Sequence, residues 1–130
     1  MTRRLARITA MQILYNADFM ELSIEEATKK VDSSKLDDSV VYFLNLVKNN
    51  LEKIDEIIEN NLVNYHLNRL NYVDRAIIRL ATAEMLEKTT PTVIIINEAL
   101  DITKEFSDQG DNKAVAFNNK VLDTISKALA

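Results

Sequence analysis

Asn71-Tyr-Val-Asp-Arg-Ala-Ile-Ile-Arg-Leu-Ala-Thr-Ala-Glu-Met-Leu-Glu-Lys88 is the stretch on which the fold turns. Val73, Ala76, Ile77, Ile78, Leu80, Ala81, Ala83, Met85 and Leu86 leave almost no polar side to it. No Gly or Pro interrupts it, and Asp74 falls in its first turn, where a negative charge suits the helix dipole. A helix that is apolar nearly all round belongs inside a protein. The stretch therefore predicts a central helical post, with Asp74, Arg75, Arg79, Glu84 and Glu87 either paired or led out along narrow strips.

Around that post the chain of 130 residues is long enough for one domain with a true core. Hydrophobic residues make up 47% and charged residues 28%, the balance of a globular chain. One Gly and one Pro are too little punctuation for a sheet, whose tight turns need such residues. The expected class is all-α: a single compact domain, residues 1–130, of six or seven helices with short connections.

The helices follow from periodicity and caps. Arg3 to Met20 forms the first, with Leu5, Ile8, Ile13, Phe19 and small alanines on its packing side. Ser23 and Glu26 form a capping box that starts a short second helix. Asp37 or Asp38 opens a long third helix reaching about Val63, with a break at Asn49-Asn50 or Asn60-Asn61 as its alternative. Its Lys48, Glu52, Lys53, Glu56 and Glu59 read as a solvated face. His66 sits in the turn before the central post and reads as a cap or surface residue. Thr90 is the expected N-cap and Pro91 the first residue of the next helix, which runs to about Phe106. Within it Asn97 and Glu98 read as a structural hydrogen-bond pair. Ser107 to Asn112 is a loop around Gly110, and the last helix covers about Asn112 to Leu129.

Composition also bounds the chemistry. The absence of Cys removes disulfides and thiolate sites, and a lone His leaves little for a metal or a catalytic triad. No phosphate-cradling glycine loop and no apolar run near membrane length are present. A basic start without a secretory apolar core fits a cytoplasmic protein. The expectation is a binding protein without a cofactor, not an enzyme. The net charge is −4, yet every charge before Asp18 is positive: Arg3, Arg4 and Arg7. Cations at a helix N-terminus oppose its dipole, so local stability does not account for them. They read either as solvated charges or as an anion site beside free helix N–H groups. Arg4 and Tyr15, three turns apart, share a stripe. Phe117, flanked by Lys113, Asn118, Asn119 and Lys120, reads either as a core-edge ring or as a base-stacking platform.

Four stretches together resemble the NusB family of transcription antitermination proteins: RRLARITAMQILY, NRLNYVDRAIIRLATAEM, TPTVIIINEALDITKEF and FNNKVLD. They span nearly the whole chain in the family's order. The resemblance implies a NusB-like helical bundle that binds boxA-type RNA together with NusE, a small-subunit ribosomal protein. That assembly joins RNA polymerase and supports transcription of ribosomal RNA operons. It implies RNA contacts at Arg3, Arg4, Arg7, Tyr15 and Phe117; Lys113 and Lys120, outside the family pattern, would add phosphate contacts by their own charge. Tyr15 would also border the partner, and Asp74 would face NusE. Some relatives pair with themselves and hide the RNA surface, so the sequence leaves a homodimer open. Two departures stand beside the proposed RNA surface: SDQGDNKAVA, residues 107–116, is longer than usual, and Lys120 replaces a common glycine. The acidic total, with these departures, also motivates an alternative, a helical protein-interaction adaptor without RNA binding of its own.

Overall fold

The structure is a computed structural model that describes residues 1–130. It is all-α, with seven helices in chain order: α1 (Arg3–Phe19), α2 (Ile24–Lys29), α3 (Asp38–Lys48), α4 (Leu51–Asn60), α5 (Tyr72–Glu87), α6 (Thr92–Phe106) and α7 (Lys113–Ala128). The expected post is α5. It packs against α1, α3, α4, α6 and α7, and its Ala76, Ile77, Ile78, Leu80, Ala81, Thr82, Ala83 and Met85 are buried. Small residues on α1 (Ala6, Ala10, Ala17) let the two helices approach closely, and all the buried apolar residues join one contiguous core. Removing a large member of that core, such as Ile78, costs about 2–5 kcal/mol through lost burial and the cavity left behind.

The charges on α5 are paired, as its apolar surroundings require. Arg79 joins Asp55 of α4 and Asp18 of α1 at 2.8 and 2.9 Å. Glu84 meets Arg7, Glu87 accepts the Tyr42 hydroxyl, and Arg75 caps the carbonyls of Asn68 and Leu70 at 3.2 Å. Asn71 begins the helix by accepting from the Asp74 N–H at 2.8 Å.

One boundary left open falls at the first of its two alternatives, and two others depart from expectation. The long third helix is two helices, α3 and α4, broken at Asn49-Asn50. The Asn50 amide donates to the Leu46 carbonyl at 3.1 Å, so a side chain takes an acceptor that the backbone of a continuing helix would use. Asn61 repeats the device on Ile57 at 2.7 Å, where α4 ends. At α6 the cap is Pro91 rather than Thr90, because Pro91 has extended ψ (137°) while its carbonyl already accepts from Ile94 and Ile95. Gly110, at φ +90°, turns the loop before α7, and the Asp108 carboxylate holds the Gly110 and Asn112 N–H groups.

Candidate nucleic-acid and partner interface

At the start of α1 the three arginines have three different environments. Arg7 is 4% exposed, and its Nε and Nη2 donate to the two oxygens of the equally buried Glu84 at 2.9 and 2.8 Å. Burial works against its charge, but the Glu84 hydrogen bonds and charge outweigh that and raise its pKa, so Arg7 stays ionised inside. Phe43 lies under the guanidinium at 5.1 Å. Arg7 therefore offers no open cation here: it is one half of a buried ion pair. Arg4 donates to Glu98 at 2.7 Å and Asp101 at 2.6 Å, but its side chain remains 48% exposed. Those hydrogen bonds, Glu98 first, raise its pKa. Glu98 is thus partnered by arginines rather than by Asn97. Arg3 has no carboxylate partner and lies over the Phe43 ring at 4.9 Å and the Tyr42 ring at 5.6 Å. Thr2 occupies one free helix N–H by accepting from Leu5 at 3.1 Å.

The other end of α1 carries rings. Tyr15 and Phe19, one turn apart, stack with centroids 6.0 Å apart and planes 10° from parallel. Tyr72, at the start of α5, meets both edge-on at 6.3 and 6.4 Å. Phe19 is 63% exposed and Tyr72 is exposed too, while Tyr15 is half-buried and roots the cluster on the core. Arg75 lies 5.1 Å over the Tyr72 ring, and Asp18 holds Arg75 and Arg79 beneath. Sequence reasoning placed Phe19 on the packing side of α1 and passed over Tyr72. The available signal was spacing: Phe19 follows Tyr15 by four residues and so shares its face.

Asp74 sits between this cluster and α7. It is 7% exposed, and its Oδ1 accepts from the Ser107 hydroxyl at 2.6 Å and the Asn118 amide at 3.0 Å. Its Oδ2 accepts from Asn71 at 2.8 Å, and Asn118 also donates to the Thr103 hydroxyl at 3.0 Å. Asp74, expected to face NusE, spends both carboxylate oxygens on contacts that knit α5, α6 and α7 together from within. Next to Asn118, Phe117 is half-buried and meets the Tyr65 ring edge-on at 5.7 Å. Lys113 and Lys120 are exposed one turn before and after Phe117, on its face of α7. Phe106 is also partly exposed, at the end of α6. No hydrogen bond, ion pair or ring contact joins the arginines of α1 to the Lys113–Phe117–Lys120 group.

Of four Tyr and four Phe, only Phe43 is buried. Five of the other rings (Tyr15, Phe19, Tyr72, Tyr65 and Phe117) form two clusters flanking the N-terminal end of α5. No group of three or more His, Asp or Glu side chains is arranged to hold a metal ion, and no helix is long and apolar enough to cross a membrane.

The class defined by these features is an all-α bundle built on a central helix, with ionic and aromatic chemistry at its surface. Residues 4–127 match the NusB family, and the chain belongs to it. It is 38% identical over 127 residues to the transcription antitermination protein NusB of Bacillus subtilis, covering 96% of this chain and 95% of that one. Its fold superposes on T. maritima NusB with a TM-score of 0.84 at 32% identity, covering 98% of this chain and 92% of that one. It is equally similar to a chain in the crystal structure of the antitermination factors NusB and NusE in complex with dsRNA: TM-score 0.82, 32% identity, 97% and 96% covered.

Proposed function

We propose that this chain, acting as one domain over residues 1–130, is a non-catalytic transcription antitermination factor. In this reading it binds boxA-type single-stranded RNA together with NusE and enters the RNA polymerase complex that transcribes ribosomal RNA operons in the cytoplasm. The observation that carries the reading is the placement of the rings. An acidic protein that buries one aromatic fully and leaves Phe19, Tyr65, Tyr72 and Phe106 exposed keeps them there for a partner, since exposed apolar clusters mark interaction sites. Family membership, and the relative solved with NusE and dsRNA, support the choice of partners.

The geometry supports a division of labour. Tyr15, Phe19 and Tyr72 form a rigid aromatic anchor suited to a protein partner, with Tyr15 at its border. Arg3 and the exposed part of Arg4 supply phosphate contacts at one place, and Lys113, Phe117 and Lys120 supply phosphate contacts and base stacking at another. Arg7 and Asp74 hold the scaffold.

The adaptor reading, partner binding without RNA, is favoured by one observation: carboxylates already occupy Arg4 and Arg7. A gel shift with a boxA-type single-stranded oligonucleotide, with and without NusE, decides between them. The expected result is a weak shift alone and a strong, salt-sensitive one with NusE. NusE binding with no RNA retained would select the adaptor, and binding of neither would overturn both.

A further inference from the structure

We infer that Tyr65, in the connection between α4 and α5, is a base-stacking residue that extends the RNA interface beyond α7. This inference rests on the RNA-binding reading above. It starts from an unusual placement: a tyrosine in a segment without regular helix, 43% exposed, yet held from three sides. Its ring edge meets Phe117 at 5.7 Å with planes 63° apart. Its hydroxyl donates to the Arg69 carbonyl at 3.1 Å. The segment itself is pinned, because Glu59 of α4 accepts the Leu67 N–H at 2.7 Å and meets His66 Nδ1. Asn64 turns the chain with φ +56°, which presents Tyr65 toward α7.

A ring fixed in this way has little conformational freedom left to lose when a ligand stacks on it, which favours binding. The charges nearby fit a polyanion. Arg69 and Lys120 are exposed with no carboxylate within 4.0 Å, and Lys113 reaches Asp111 only at 4.0 Å. The nearby carboxylates are already engaged: Glu59 by His66 and Leu67, Asp108 by the Gly110 and Asn112 N–H groups, buried Asp74 by Ser107 and Asn118, and Asp111 by the Lys113 N–H. Cations around paired aromatic rings suit a single strand, whose unstacked bases lie on rings while its phosphates meet the cations. Phe117 alone, half-buried, offers part of a face; Tyr65 beside it completes a two-ring platform.

The chain has no Trp, so Tyr65→Trp places a lone indole of this chain at the proposed contact. RNA titrated into the protein–NusE complex should change its emission in step with binding, while the wild-type complex reports any change from NusE. Tyr65→Ala should weaken RNA binding about tenfold or more, with NusE binding unchanged, whereas Tyr65→Phe should bind RNA nearly as the wild type. If Tyr65→Ala fails to fold, the Tyr65→Trp signal still decides. Wild-type RNA binding with a silent indole, or with full affinity in a folded Tyr65→Ala, overturns this inference and leaves the RNA-binding reading standing. No RNA binding by the wild-type complex removes that reading and this inference with it.

Discussion

The N-terminal end of α1 and the N-terminal end of α5 reverse the roles that their residues suggest. Arginines gathered at a helix start look like a binding site, yet Arg7 is buried against Glu84 and Arg4 is tied to Glu98 and Asp101. Rings at helical spacing look like core, yet Phe19 and Tyr72 are exposed and only Tyr15 between them roots the cluster on the core. In this acidic bundle, much of the positive charge on α1 serves internal cohesion, and much of the aromatic surface is left over for partners. Residue type names a capacity; the neighbours decide how it is used.

The sharpest break of this comparison is at Arg7. Arg7→Ala leaves a carboxylate buried without its partner, and chemical denaturation should show a loss of about 3–5 kcal/mol. Exchanging both members, Arg7→Met with Glu84→Leu, should recover most of that stability, because a well-packed apolar pair replaces a desolvated ionic one. If Arg7→Ala instead kept full stability and lost only RNA affinity, Arg7 would belong to the interface.

A smaller loss is expected at Asn118, whose amide serves Asp74 and Thr103. Asn118→Ala removes both bonds from a buried site and should cost about 1–3 kcal/mol in the same assay. RNA binding should fall less than stability does, since Phe117 keeps its Tyr65 contact.

Acid should act on the caps and loops. The Ser23 N–H holds the Glu26 carboxyl below its ordinary range, the Ser34 N–H does so for Asp32, the Ser39 hydroxyl for Asp37, and the His66 contact for Glu59. A folded pKa below the unfolded one gives stability that is complete above the ordinary carboxylate range and lost as pH falls through the folded value. Denaturation midpoints should therefore stay level near neutrality and decline below about pH 5. Asp37→Asn should flatten part of that decline. The smallest effect is expected at Arg3: Arg3→Ala should make the salt dependence of single-strand binding shallower by about 0.7 in log–log slope, the share of one phosphate contact.

Much of this was legible from residues. The all-round apolarity of 71–88 placed the central helix, and Ser23 with Glu26 gave α2 its start. The α3–α4 break was open between two Asn pairs because both carry the same side-chain device, and only packing distinguishes a break from an end. The site was less legible. Arg7 could not be assigned from its own neighbourhood, since Glu84 lies 77 residues away. Asp74 was read through the resemblance alone because the groups that donate to it, Ser107 just after α6 and Asn118 on α7, are distant in sequence. Phe19 was within reach by its spacing from Tyr15, but Tyr65 was not, because nothing local links that connection to α7.

Calorimetric titration of NusE into wild type and into Phe19→Ala, Tyr72→Ala tests the central claim most directly. The account predicts that the double variant unfolds at nearly the wild-type temperature but loses at least about a hundredfold in NusE affinity, as removal of two buried aromatic anchors should. A double variant that binds NusE as tightly as the wild type would contradict it.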